Sequence, residues 1–350
     1  MTTTIIDVKT HSIIATLLIG NTALIPLGEG LVVSPNGKIV LVVNFTGNSI
    51  SAINTSTHAV VATVLVGVNP FFVILSPDGK IAYVVNREDP LIPSFISVID
   101  TKTYSVIATV PVGRDPRFAA ITPDGKHVFI SNAEDNTVSV IDTKTYSCSA
   151  TIPVGARPFN IIISPDGKSV YVVNISSPSI SIIDVKTQFV IGTVPVSNSP
   201  SSISITPNGK LIYIVASDVI SVIDTKTYSV IATVPVINAP SNLAISPNGD
   251  LVYVIGVDIN DLGALSVIDI KTQSVIAAVR VGVNPVDITI THDGKIAYVV
   301  NEGDDQNPST TTVIDLKTHA VIATIPNPIS SGTVSISPDG KLAYILERNS

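Results

Sequence analysis

Apolar residues in this chain come in short runs separated by polar turns. Within the stretch from Phe71 to Val112, four such runs follow one another: Phe71–Leu75, Ile81–Asn86, Phe95–Asp100 and Ser105–Val112. Val, Ile, Thr and Tyr dominate them, the residue types that fit a pleated, half-buried surface. Nowhere do apolar positions recur at the spacing of a helix face. The pattern therefore predicts an all-β chain of short strands.

The turns between the runs are of two kinds, and each recurs eight times. The first, Pro-Asp/Asn-Gly, ends at Gly37, Gly79, Gly125, Gly167, Gly209, Gly249, Gly294 and Gly340, with His292 replacing Pro in the seventh copy. Pro presets φ for such a turn and Gly accepts the positive φ that follows. The second, Asp-x-Lys-Thr and close variants, begins at Asp7, Asn54, Asp100, Asp142, Asp184, Asp224, Asp269 and Asp315. Its first side chain can accept hydrogen bonds from the backbone N–H groups that follow. Successive glycines of the first set lie 40 to 46 residues apart. That period, with about four strands per unit, is the signature of a β-propeller blade.

Seven complete units run from a Pro-Asx-Gly turn through the following Asp-x-Lys-Thr turn. The eighth Pro-Asp-Gly has only two strands around it before Ser350, and the chain begins with the two strands that such a unit lacks. The simplest closure builds blade 8 from 329–350 plus 1–20. This predicts one eight-bladed domain over residues 1–350; seven blades with a displaced terminal hairpin is the alternative. A blade cannot bury its faces alone, so the length, which would otherwise suggest several domains, reads as a single ring.

The strings Ala82-Tyr83-Val84-Val85-Asn86, Val170–Asn174 and Ala297–Asn301 resemble the Tyr-Val-Thr-Asn repeat of YVTN β-propellers, as do Ser-Pro-Asp-Gly-Lys and Val-Ile-Asp-Thr-Lys-Thr. The chain is similar to the propeller modules of surface-layer proteins. The resemblance implies a propeller used in cell-surface adhesion, assembly or ligand binding, and fixes no chemistry.

Charged residues make up only 13% of the chain and the formal net charge is −7, which argues against a general nucleic-acid or anionic-membrane binder. No apolar stretch is long enough to span a membrane as a helix, and the first residues lack the charged start and apolar core of an export signal. As given, the chain reads as cytoplasmic and monomeric; the resemblance implies the cell surface for a protein whose signal has been removed. The single cysteine, Cys148, takes a slot filled by Val106 and Val230 in sister repeats and is expected to be a small core residue.

Both repeated turns must lie at one end of the ring, because A–B and C–D connections of a four-stranded meander share an end. All 14 lysines sit in or beside them, each near an Asp or Asn, and read as a solvated, locally paired ring. The opposite, upper end carries the variable B–C and D–A loops. There fall Arg87, Arg114, Arg117, Arg157 and Arg348, with Phe45, Phe71, Phe72, Phe95, Phe118 and Phe159. Arginines among aromatic rings suit a planar or anionic ligand, through stacking and bidentate hydrogen bonds. Phe72 and Phe118 equally suit packing between blades, and Arg114 can pair with Asp115. Two long loops, Arg87–Ser94 and Glu302–Ser309, mark this end as diversified. Across the ring stand Asp218, Asp258, Asp261, Glu302, Asp304, Asp305 and Glu347, so a face with opposite charge on its two halves is expected.

Recognisable catalytic machinery is missing from the pattern. No histidine maps to the upper end, and no metal-ligand spacing, nucleophile elbow or phosphate loop is visible. No cofactor and no metal are expected, although Glu302-Gly303-Asp304-Asp305 offers oxygen ligands of the kind Ca²⁺ takes. Glu29 and Asp287 are the carboxylates placed to reach the channel mouth. Asn44, Asn86, Asn132, Asn174 and Asn301 recur at the end of strand B and read as turn acceptors. The expected function is a binding or assembly scaffold presenting its upper face to a protein, peptide, glycan or small anionic ligand. A lyase or hydrolase built on carboxylate and Arg, and a binder of single-stranded nucleic acid through stacking on Phe, are the alternatives.

Overall fold

In a computed structural model of the chain, which describes residues 2–19, 30–88, 94–197, 200–260, 262–327 and 331–347, the turns and runs assemble into eight four-stranded antiparallel sheets. Together they form a ring, an eight-bladed β-propeller, and no helix occurs among the described residues.

One blade explains all of them. In blade 2 the strands are A, Pro70–Leu75; B, Ile81–Asn86; C, Phe95–Asp100; and D, Ser105–Pro111. Strands B and C are buried on both faces, which is why they read as near-continuous apolar runs; strand D is the outer edge and leaves Val106 and Ile107 about 40% exposed. Each D strand carries a β-bulge in its pairing with C, here between Val106 and Ala108, a feature that blunts an open edge. Cys148 sits on such an edge and is exposed. The expectation of a core cysteine fails because its sister valines are themselves surface residues.

The two repeated turns meet, as a shared end requires. Gly79 has φ +70°, its N–H donates to Ser76 O at 2.8 Å, and a Cβ there would stand 2.9 Å from Pro35 of blade 1. Asp100 Oδ1 accepts the N–H groups of Lys102 (2.9 Å) and Thr103 (2.7 Å). Thr101 Oγ1 then donates to Gly79 O at 2.8 Å, tying one turn to the other. The residue after each Asp-x-Lys-Thr turn is left-handed: His11, His58, Tyr104, Tyr146, Gln188, Tyr228, Gln273 and His319. From there His11 Nδ1 comes within 3.1 Å of the Tyr298 hydroxyl of blade 7, and Gln273 Nε2 donates to that of Tyr213 in blade 5. Lys80, Lys126, Lys168, Lys295 and Lys341 each pair with the Asp two residues earlier, all well exposed.

The strand-B asparagines are donors, not the expected acceptors. Asn132 Nδ2 donates to Ser139 Oγ at 2.9 Å, and the same oxygen lies 3.4 Å from Gly113 N, which closes blade 2. A Cβ on Gly113 would fall 2.7 Å from the Asn132 amide carbon. Asn174 with Gly155, and Asn301 with Gly282, repeat this inter-blade latch.

Blade 8 is shared between the two ends of the chain. Its order from outside inward is Ser12–Leu18, Thr2–Asp7, Leu342–Glu347, Ser331–Ile336, with Thr2 opposite Glu347 and Asp7 opposite Leu342.

Candidate functional site

Strand A of every blade lines the central channel, and its second position after the leading Pro (Ser331 in blade 8) decides the character of the wall. Around the ring from blade 2 to blade 8 that position holds Phe72, Phe118, Asn160, Ser202, Asn242, Asp287 and Thr333. All seven border one cavity of about 570 Å³. Blades 2 and 3 thus give it an aromatic side, extended by Phe159 of blade 4, and blades 4 to 8 a polar one.

The aromatic side is a contiguous cluster. Phe118 meets Phe72, Phe71 and Phe159 edge-on, at ring-centroid separations of 5.2, 5.8 and 4.9 Å. Such tilted pairs are the favoured geometry for aromatic rings. Phe72 and Phe118 are buried between blades and also line the cavity.

Two arginines cap the cluster. Arg87, just after strand B of blade 2, lies over Phe71 at 4.9 Å, and Arg117, in strand A of blade 3, lies over Phe159 at 5.9 Å. Asp115 bridges them: it accepts from Arg87 Nε at 3.0 Å and from Arg117 Nε at 3.0 Å and Nη2 at 2.5 Å. Asp115, 5% exposed at the side chain, is the counter-ion for both, where the sequence pattern paired it with Arg114. Arg114 instead pairs with Asp135, Nε to Oδ1 at 2.6 Å, and its backbone N–H donates to the same carboxylate at 2.7 Å.

Arg157 holds the place in blade 4 that Asp115 holds in blade 3, also left-handed at φ +55°, and has no ion pair among the described residues. Asn and Asp tolerate that conformation better than Arg does. Arg87 and Arg117 thus lie over phenylalanine rings with Asp115 as their bridging carboxylate, and Arg157, near enough for its charge to act on Arg117, adds a third guanidinium group. The excess acts on Arg117: burial first, then the charge of Arg87 and more weakly that of Arg157, lower its pKa, while Asp115 holds it up.

Across the channel the polar wall is chained together. Ser202 Oγ donates to Asn242 Oδ1 (2.7 Å), and Asn242 Nδ2 donates to Asp287 Oδ1 (3.0 Å). Asp287 Oδ1 also accepts from Ile288 N, and its Oδ2 accepts from Thr333 Oγ1 (2.7 Å) and Val334 N (2.9 Å). Four neutral donors occupy both oxygens, and burial, against those bonds, raises the carboxyl's pKa. Asp287 borders the cavity and serves there as an acceptor joining blades 6, 7 and 8. Asn160 differs from its neighbours: Oδ1 accepts from Ile161 N at 2.9 Å, and its Nδ2, like the Ser201 hydroxyl beside it, has no partner among the described residues.

Two of the acids expected opposite the arginines serve their own loops. Asp258 Oδ1 accepts the N–H groups of Asn260 and Leu262, and Asp304 Oδ1 those of Gln306 and Asn307. Glu347 is not a loop residue but the buried end of strand B in blade 8, where its Oε2 accepts from Thr2 Oγ1 at 2.6 Å. Glu29, Asp261, Arg348 and most of the Arg87–Ser94 loop lie outside the described residues. Among the described residues, no three His, Cys, Asp or Glu side chains group to hold a metal ion. Sequence reasoning missed Asp115 as the bridge and the wall of Asn160, Ser202, Asn242 and Thr333. Aligning strand A across the repeats would have exposed the wall, since one position changes from Phe to amide, hydroxyl and carboxylate.

The model of the YNCE-like β-propeller family matches residues 117–309, and that of the seven-bladed lactonase β-propellers matches residues 72–151. No curated protein matches the chain. Among solved structures, the dihydro-heme d1 dehydrogenase NirN in complex with DHE is similar at a TM-score of 0.77 and 15% identity, over 93% of this chain and 73% of that one. Hydrazine synthase of Kuenenia stuttgartiensis is similar at 0.60 and 21% identity, over 94% of both chains. A functionally unknown protein from Desulfotomaculum acetoxidans is similar at 0.60 and 18% identity, over 81% of this chain and 96% of that one. At these identities the likeness establishes the fold.

Proposed function

The chain belongs to the YNCE-like β-propeller family, and we propose that it is a binding scaffold that holds a small anion with a planar body at the upper mouth of its channel. The observation that carries this reading is Arg87 and Arg117 over a cluster of four phenylalanines, bridged by the Asp115 carboxylate, with the unpaired Arg157 near enough for its charge to act on Arg117. An anion would relieve the repulsion among the guanidinium groups and accept their forked N–H donors, while its planar body lies against the rings. The Arg–Asp bridge fixes two of the three donors before any ligand arrives, which limits the ordering cost of binding. Carboxylate-driven catalysis at this mouth has less support, because Asp287 is saturated by four donors.

The test is titration with 2-naphthoate, read by ligand fluorescence in a chain that contains no Trp. Arg157→Ala, which leaves the Asp115 bridge intact, is expected to weaken binding about tenfold, the worth of a charge-assisted hydrogen bond. Affinity should also fall with added salt. Equal affinity in the variant, or indifference to salt, would overturn the reading.

A further inference from the structure

We propose that the ligand of this mouth carries a neutral hydrogen-bonding group at the end opposite its anion, and that Asn160 reads that group: the class is a planar aromatic carboxylate with a hydroxyl on its far edge. The inference rests on the reading above and adds an orientation and a specificity to it.

Three observations lead there. First, the cavity is continuous from the aromatic side to the polar side and, at about 570 Å³, has room for a fused-ring molecule that spans it. Second, the two sides differ in charge. The guanidinium groups border the Phe rings, whereas the far wall contains the Asp287 carboxylate with no ion pair among the described residues. A ligand's anion is drawn to the first side and repelled from the second, so its far end must be neutral. Third, the far wall offers an amide nitrogen without a partner among the described residues. Ser202, Asn242, Asp287 and Thr333 are joined to one another by hydrogen bonds. The Asn160 amide, between Phe159 and that chain, keeps an unused N–H₂ bordering the cavity, with the unused Ser201 hydroxyl beside it. A donor left unmatched in a half-buried wall favours an acceptor on the ligand and discriminates against analogues without one.

The experiment compares four probes on the full chain: 2-naphthoate, 6-hydroxy-2-naphthoate, 2,6-naphthalenedicarboxylate and 2-naphthol. The expected order puts 6-hydroxy-2-naphthoate about fivefold tighter than 2-naphthoate, the effect of one net hydrogen bond. The dicarboxylate should bind more weakly than 2-naphthoate, because its second charge meets Asp287. Asn160→Ala should erase the fivefold preference, bringing 6-hydroxy-2-naphthoate to the affinity of 2-naphthoate in the same variant, whereas Arg157→Ala should weaken the carboxylates together. The dicarboxylate comparison needs no variant and stands even if Asn160→Ala fails to fold. Arg157-dependent binding of naphthoates without a hydroxyl preference, a preference that survives Asn160→Ala, or a dicarboxylate that binds tighter than 2-naphthoate would each overturn this inference while sparing the anion site. If 2-naphthol binds as well as 2-naphthoate, or if no naphthoate binds, the anion site falls and this inference with it.

Discussion

Glu347 stands where blades 1 to 4 and blade 7 place an asparagine, and the exchange has a cost that the others avoid. The asparagines meet the hydroxyls of strand C as neutral donors, as Asn86 does with Ser97 and Asn174 with Ser181. Glu347 is fully buried and bonds to Thr2 through Oε2, while Oε1 has no partner among the described residues. Burial raises its pKa, against the hydroxyls of Thr2 and Thr4, so the folded state disfavours its charge. Such a group weakens the fold at pH values where it ionises and ceases to do so once protonated. Glu347→Gln, neutral at every pH and able to keep the bond to Thr2, is expected to raise the melting temperature at pH 7 by a few degrees. The gain should shrink to nothing near pH 4, and thermal melts at the two values check it. A gain of the same size at both would mean that packing, not charge, is the cause.

Among the elements, the terminal strands carry the closure of the ring. Thr2–Asp7 is paired on both sides, with Ser12–Leu18 and with Leu342–Glu347, so a proline within it removes a ladder bond and has no edge to occupy. Ile5 lies opposite Ala15 and Tyr344, and its side chain is fully buried. Ile14, nine residues on, is the bulged residue of an outer strand and 44% exposed. Ile5→Pro is therefore expected to lower the melting temperature by ten degrees or more, and Ile14→Pro by only a few, on the scale of about 3 kcal/mol against less than one. Equal effects would mean that the ring does not depend on this pairing. The closure was legible in the sequence because a missing pair of strands at one terminus matched a surplus pair at the other. Positions set by a single side chain's direction were not. Asp115 belongs to Arg87 and Arg117, one of them 28 residues away in the neighbouring blade, through a side-chain direction that residue spacing does not show. Glu347 looked like a loop residue because one blade in a repeat can place a carboxylate where its sisters place an amide. The exposure of Cys148 follows from which strand is outermost, which the apolar pattern of strand D conceals.

At the scale of the whole molecule, the turns make stability a function of acid. In the C–D turns, Asp7, Asp100, Asp142, Asp184, Asp224, Asp269 and Asp315 have lowered pKa values, chiefly through the N–H of the Thr three residues on. In the A–B turns, Asp78, Asp166 and Asp339 are lowered chiefly by a Ser hydroxyl; Asp124, led by Thr122, and Asp293, led by Lys295, fall to about 2. A carboxyl whose folded pKa lies below its unfolded value of about 3.9 contributes stability that is complete above that value and is lost as pH falls through the folded one. Asp287 and Glu347, both raised, act in the opposite sense and gain as they protonate. The melting temperature is thus expected to hold or rise slightly from pH 7 to about 4, then to drop steeply between about 4 and 2. The ring supplies its own control. Blade 1 has Asn54 in the Asp slot, and its Oδ1 accepts the N–H groups of Ser56 (3.0 Å) and Thr57 (2.9 Å), so the turn forms without a titrating group. Replacing Asp100, Asp142 and Asp224 together by Asn should leave the neutral-pH melting temperature within a few degrees and make the acid drop shallower. A drop that begins near pH 6, or one that the triple replacement does not change, would assign the acid sensitivity to groups other than the turns.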